Sequence, residues 1–233
     1  MNKARYIDLL ICDCDGVLID SEIIAERNVH DTLAERFPAE ELEHVLAGTF
    51  GLQSRDILAR VEAHFGVQLP PTFYAEIRAR NESLIRTQVQ PIPYVRDALM
   101  AIDLPLAIAS NSRLDAVEFA LQRTDLVERV NVGIFSADRV ERPKPAPDVY
   151  LAAAEAAGVA PSRCVVVEDS STGVTAALTA GMRVLGFLGA SHIPPEHGET
   201  LLQLGVERLF DDMRELPGLV ESLMTTPGNV HAG

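Results

Sequence analysis

Cysteine is scarce in this 233-residue chain, with Cys12, Cys14 and Cys164 the three present. An odd, low count excludes a disulfide framework and fits a reducing compartment. Cys12-Asp13-Cys14 has half the form of a metal clip, but no second Cys or His pair completes it at zinc spacing. Small buried residues on a strand are the expectation. Positive charge is also short: 20 Lys and Arg stand against 34 Asp and Glu, a net charge of −14. Such a surface repels nucleic acid and anionic membranes, so neither is expected as a partner. An anionic small molecule then needs a local positive device, such as a metal, a lysine or oriented N–H groups. No run approaches about 18 uncharged apolar residues, so no membrane span is expected. Asp8, Asp13 and Asp15 break up the apolar N-terminal stretch, which removes a signal-peptide core and points to the cytoplasm. GxGxxG and GxxxxGK[ST] are both missing, which leaves dinucleotide-binding and P-loop readings without support.

What remains is ordinary globular composition: 47% hydrophobic, 23% charged, with 15 Gly and 14 Pro. Disorder and low-complexity classes are thereby excluded. A chain of this length buries roughly 70–75% of its unfolded surface and needs no disulfide or structural metal to hold a core. One large domain or two small ones fit that length.

Four short apolar runs read as strands: Ile7–Cys12, Leu104–Ala109, Cys164–Val167 and Val184–Leu188. Their apolarity is continuous rather than alternating, so both faces are expected to be buried. Asn131–Phe135 and Arg208–Phe210 are weaker candidates. Helical spacing appears in Tyr94–Ile102, Leu114–Gln122, Pro147–Ala157 and Thr172–Ala180, the last two stopped by Gly158 and Gly181. Strand–helix alternation predicts an α/β fold with a doubly wound parallel sheet. Residues 21–88 break the rhythm and hold no strand-like run. Ser54 is placed to cap a helix bearing Ile57, Leu58, Val61 and Phe65, and Thr72 to cap one bearing Phe73, Ile77, Leu84 and Ile85. The expected organisation is a core of residues 1–16 and 91–233 with a helical insert over 17–90.

Chemistry-bearing residues gather at the ends of the apolar runs. Asp13 and Asp15 follow the first, two residues apart and so on one side of an extended chain. A carboxylate pair there calls for a cation or a shared proton. Ser110-Asn111-Ser112 ends the second run and offers a hydroxyl and backbone N–H groups to an anion. Lys144 stands between Pro143 and Pro145, whose rings fix the neighbouring backbone. Glu168 and Asp169 end a further strand and bring hard oxygen ligands that suit Mg²⁺. His192 and His197 fall in a Gly/Pro-rich stretch that reads as a flexible surface loop.

All C-terminal ends of parallel strands share one edge. The ordered set of DxDG (Asp13–Gly16), Ser110-Asn111, the proline-flanked Lys144 and Glu168-Asp169 resembles the haloacid dehalogenase (HAD) superfamily. The resemblance spans nearly the whole chain and implies that residues 17–90 form the small helical cap of that superfamily. The nearest subgroup holds β-phosphoglucomutase, phosphoglycolate phosphatase and sugar-phosphate phosphatases such as bacterial 6-phosphogluconate phosphatase. It implies Asp13 as nucleophile and Asp15 as general acid, then base. Mg²⁺ would be held by Asp13, the Asp15 carbonyl and Asp169, with Glu168 as a further ligand, direct or through water. Phosphate oxygens would fall to Ser110, Asn111 and Lys144, and substrate reading to Glu22, Ser54 and Arg55. The implied activity is a phosphatase acting on a small phosphorylated metabolite, a sugar phosphate or sugar-acid phosphate. The alternatives are a β-phosphoglucomutase-like mutase and, with less support, a non-catalytic phosphosugar-binding protein. Ala25 stands where the mutase places a histidine that restrains its acid/base aspartate, which favours hydrolysis. A monomer is the favoured state.

Overall fold

The computed structural model describes residues 6–47, 49 and 54–226. The chain divides into two compact units, one of Met1–Asp20 with Gln90–Gly233 and the other Ser21–Val89. The first strand, β1 (Leu9–Cys12), belongs to the larger unit.

Among the described residues, four helices make the smaller unit: α1 (Glu22–Ala34), α2 (Ala39–Leu46), α3 (Ser54–Phe65) and α4 (Phe73–Gln88). Val29 and Leu33, Leu42 and Val45, Leu58 and Val61, and Phe73 and Ile77 form its buried core, one pair from each helix. The stripe expected on α3 is present, with Leu58 and Val61 innermost and Ile57 and Phe65 packed at the margin. Phe65 also stacks on Phe37 with ring centroids 4.4 Å apart. Thr72 does stand at the N-cap of α4, but its backbone is already helical and it makes no side-chain cap. Its hydroxyl donates instead to Glu76 Oε1 at 2.7 Å. The side chain of Ser54 lies outside the described residues.

The larger unit continues with α5 (Val95–Met100), β2 (Leu106–Ser110), α6 (Leu114–Thr124), β3 (Gly133–Ser136) and α7 (Asp148–Ala157). It closes with β4 (Cys164–Glu168), α8 (Ser171–Thr179), β5 (Arg183–Phe187), α9 (His197–Leu204), β6 (Arg208–Phe210) and α10 (Leu216–Thr225). The six strands pair in parallel in the order β3-β2-β1-β4-β5-β6. Every residue of β1, β2, β4 and β5 is buried, as continuous apolarity requires of strands covered on both faces. All six runs read as strands in the sequence are strands, with ends shifted by a residue or two. Gly158 (φ 66°) and Gly181 (φ 78°) follow α7 and α8 in the left-handed conformation that stops a helix.

From β1 the chain moves outward to β2 and β3, then returns to the far side of β1 for β4, β5 and β6. The direction reverses between β1 and β4, which opens a crevice at their C-terminal ends. The segments that lead to and from the helical unit are tied together inside the larger unit. Ile92 N donates to Leu18 O at 2.9 Å and Asp20 N to Gln90 O at 2.9 Å. Val17, Leu18 and Ile19 are buried there, so the smaller unit begins at Ser21 rather than at residue 17.

Candidate active site

The β1–β4 crevice receives a carboxylate from each side. Asp13 follows β1 directly, and its backbone N–H still bonds Val167 O at 3.0 Å, which fixes where the side chain departs. Glu168 is the last residue of β4 and Asp169 the next. Carboxylate oxygens of Asp13, Glu168 and Asp169 lie within 4.8 Å of one another, and all three residues are buried.

Lys144 answers that negative charge. Its Nζ donates to Asp13 Oδ1 and Glu168 Oε1, both at 2.6 Å, and to Ala109 O at 2.8 Å. All three donor positions of the ammonium are thus used, and the residue is 6% exposed. Burial works to lower the Lys144 pKa, but the Asp13 and Glu168 carboxylates outweigh it and the net direction is up. Burial pushes Asp13 up to about 8, against the pull of Lys144 and with Glu168 and Asp15 adding to the rise.

Asn111 holds the lysine by its backbone. Its Oδ1 accepts from Lys144 N at 2.8 Å and its Nδ2 donates to Lys144 O at 3.1 Å. The side chain expected to hold phosphate therefore fixes the Lys144 loop, and the two prolines are only part of that restraint. Ser110 is buried at the end of β2, and its Oγ accepts from Ser112 N at 3.0 Å.

Sequence reasoning gave no role to Tyr150 or Ser170, and it read Ser112 only as part of an anion-holding turn. Tyr150 donates to Glu168 Oε1 at 2.6 Å, and its ring centroid is 4.8 Å from Lys144 Nζ. Its one sequence signal is a lone aromatic in an alanine-rich helix. Ser170 donates to Glu168 Oε2 through N at 3.2 Å and Oγ at 3.0 Å, while the same Oγ accepts from Gly173 N and caps α8. Each Glu168 oxygen thus accepts two hydrogen bonds. Ser112 Oγ donates to Asp15 Oδ2 at 2.6 Å, which gives the second aspartate a partner on a different strand end from that of Asp13.

Two glycines make room for the acids. A Cβ on Gly16, at φ 76°, would lie 1.8 Å from Asp169 Oδ2, and one on Gly173 would lie 1.7 Å from Glu168 Oε1. Both carboxylates rest on bare backbone.

The segment with His192 and His197 is not the flexible surface loop expected. His197 is 5% exposed, and its Nε2 is 2.7 Å from Asp169 O. The His192 side chain is 8% exposed, with Nε2 3.6 Å from Asp169 Oδ2. Burial lowers the His192 pKa, against the raising effect of Asp20. The Gly and Pro content suggested flexibility, but the turn folds back and delivers both imidazoles to the end of β4. The cysteines are free and buried, as expected, and burial raises all three thiols, that of Cys164 to about 12. On the helical unit, Glu22 and Arg55 are exposed, and the Arg55 guanidinium lies 4.9 Å from the Tyr74 ring centroid.

The model of the haloacid dehalogenase-like hydrolases matches residues 7–181. The chain belongs to that family. It is 28% identical over 191 residues to the 6-phosphogluconate phosphatase of Escherichia coli strain K12, a match covering 81% of this chain and 86% of the relative. It is 30% identical over 225 residues to the phosphorylated carbohydrates phosphatase of Thermotoga maritima, covering 93% and 100%. Among solved structures, a conserved haloacid dehalogenase-like protein of unknown function from Agrobacterium tumefaciens strain C58 superposes with a TM-score of 0.85. That match has 35% identity and covers 93% of this chain and 99% of the other. Among the described residues, no helix is long and apolar enough to cross a membrane.

Proposed function

We propose that this hydrolase is a Mg²⁺-dependent phosphatase that releases phosphate from a small phosphorylated sugar or sugar acid through an aspartyl-phosphate intermediate. The observation that carries the reading is Asp13, a buried carboxylate at the switch point of the sheet, bonded to a buried lysine and set beside Asp169. Binding alone would need no such group. The names of the relatives, both carbohydrate-type phosphatases, support the substrate class.

The donor set fits a divalent cation. Asp13 and Asp169 supply hard oxygens close together, and the Gly16 backbone leaves the space that the Asp169 carboxylate uses. Asp13, Asp169 and the Asp15 carbonyl would hold the ion. Glu168 already accepts four hydrogen bonds and is assigned to orienting Lys144. Bound Mg²⁺ would neutralise phosphoryl charge and favour the ionised form of Asp13.

In the first step an Asp13 oxygen attacks phosphorus, the bond to the sugar oxygen breaks, and Asp15 gives that oxygen a proton. In the second, Asp15 takes a proton from water as the water attacks phosphorus, and the bond to Asp13 breaks to release inorganic phosphate. Lys144, by exchanging one of its present hydrogen bonds, and the Ser110–Ser112 turn would offer donors to the phosphoryl oxygens. The hydrogen bond from Ser112 gives Asp15 a resting partner between steps. The helical unit, with Glu22, Ser54 and Arg55, is assigned to substrate choice.

The test is phosphate release across a panel of phosphorylated metabolites, with Mg²⁺ and with excess EDTA. Phosphorus NMR on β-glucose 1-phosphate and 6-phosphogluconate separates hydrolysis from transfer. Free phosphate is expected, and Ala25 supports this because its methyl group cannot restrain Asp15. Clean conversion of the first compound to glucose 6-phosphate would establish a mutase instead, and full activity in EDTA would remove the metal.

Gly16→Ala is a sharp local check. The added methyl meets the Asp169 carboxylate at 1.8 Å and loads a backbone at φ 76°. A displacement of that order is expected to lower turnover by about 10²-fold. Steady-state kinetics beside a far-UV circular dichroism spectrum measures this, and wild-type turnover in a folded variant would contradict the placement of Asp169.

A further inference from the structure

We propose that His197 and His192 are positioning residues that hold Asp169 in the orientation a divalent cation requires. This rests on the reading that Asp169 binds the ion. After β5 the chain turns back in a segment pinned at both ends. At the near end, Ser191 N donates to Asp20 Oδ1 at 3.1 Å, and Ser191 Oγ donates to Asp20 Oδ2. At the far end, His197 opens α9 and places Nε2 2.7 Å from the Asp169 carbonyl oxygen. A carbonyl only accepts, so that nitrogen carries the hydrogen. His192 lies between the pins, with Nε2 3.6 Å from Asp169 Oδ2.

Asp169 is therefore approached by three residues. His197 holds its backbone, His192 brings Nε2 to 3.6 Å from its Oδ2, and the Gly16 backbone lies close enough that a Cβ there would fall 1.8 Å from the same Oδ2. A carboxylate with its main chain and side chain so confined loses little conformational freedom when it takes up a cation. Outer contacts of this kind set ligand orientation, and their loss typically weakens metal affinity by about 10–100-fold. The buried His197 and the largely covered His192 side chain thus both approach one residue.

Calorimetric titration of Mg²⁺ into the metal-free full chain, without substrate, tests the clamp apart from turnover. Wild type, His197→Ala, His197→Leu, His197→Gln and His192→Ala are compared, with Asp169→Ala as the site control. His197→Ala is expected to weaken Mg²⁺ binding by about ten-fold or more. His197→Gln, whose amide can donate to the same carbonyl, is expected to recover most of that loss. His192→Ala is expected to weaken binding by a smaller factor. In kinetics, the Mg²⁺ concentration for half-maximal rate should rise while the rate at saturating Mg²⁺ is retained. Unchanged affinity in His197→Ala overturns the inference. If that variant does not fold, unchanged affinity in both His197→Leu, which keeps bulk but cannot donate, and His192→Ala overturns it equally. Wild-type affinity in Asp169→Ala, or no binding by wild type, overturns the metal assignment itself, and the two failures are thereby distinguished.

Discussion

Asp13→Asn is expected to lower phosphate release by at least about 10³-fold while leaving the fold intact. The amide keeps the shape of the carboxylate but is a poor nucleophile toward phosphorus, so the covalent route closes. Structure survives because Lys144 keeps Glu168 and the Ala109 carbonyl as partners, and one of the crowded buried acids is made neutral. The pH dependence of stability supplies a second signature. In the metal-free protein burial pushes the Asp13 carboxyl up to about 8, from 3.8 for an ordinary aspartate. The folded state thus holds the proton that the unfolded state has lost, and this contribution to stability falls as pH rises from about 4 to about 8. Urea midpoints of metal-free wild type should show that decline and those of Asp13→Asn should lack it. Near-normal Mg²⁺-dependent turnover in the variant would refute the nucleophile assignment.

Lys144→Ala is expected to damage stability and chemistry together. It leaves Asp13 and Glu168 as facing buried acids without their shared cation, a change that destabilises by roughly 3–5 kcal/mol. Turnover is expected to fall by about 10³-fold as a charged donor to the phosphoryl group is lost. The two effects separate in the double variant Lys144→Ala with Glu168→Gln. Removing the second negative charge should restore much of the denaturation midpoint, while turnover stays low. Recovery of activity along with stability would show that Lys144 serves the fold alone.

Some residues carried information out of proportion to their number. The four continuous apolar runs marked β1, β2, β4 and β5, because strands buried on both faces are mostly apolar, whereas the half-exposed β3 and β6 left only weak signals. The Asp13–Gly16, Ser110-Asn111, Lys144 and Glu168-Asp169 clusters were legible because each ends a run, and parallel strands place their C-terminal ends on one edge. Partnership was not legible. Nothing in the spacing of Asn111 says that both its polar atoms go to the Lys144 backbone, or that Tyr150, in the middle of a helix, reaches Glu168.

The sequence by itself determined the α/β alternation, the helical interruption after the first strand, and the acids and lysine available to the site. These depend on local periodicity and on residue type at strand ends. The tertiary structure alone decided which acid meets the lysine, that Glu168 is filled by hydrogen bonds, and that a Gly/Pro-rich turn returns two histidines to Asp169. Those contacts join residues far apart in the chain, and their geometry is set by the parallel order of β1 and β4 and by the fold-back after β5. A hydrogen bond needs a donor within about 3 Å, a condition that pairwise spacing along a sequence does not encode.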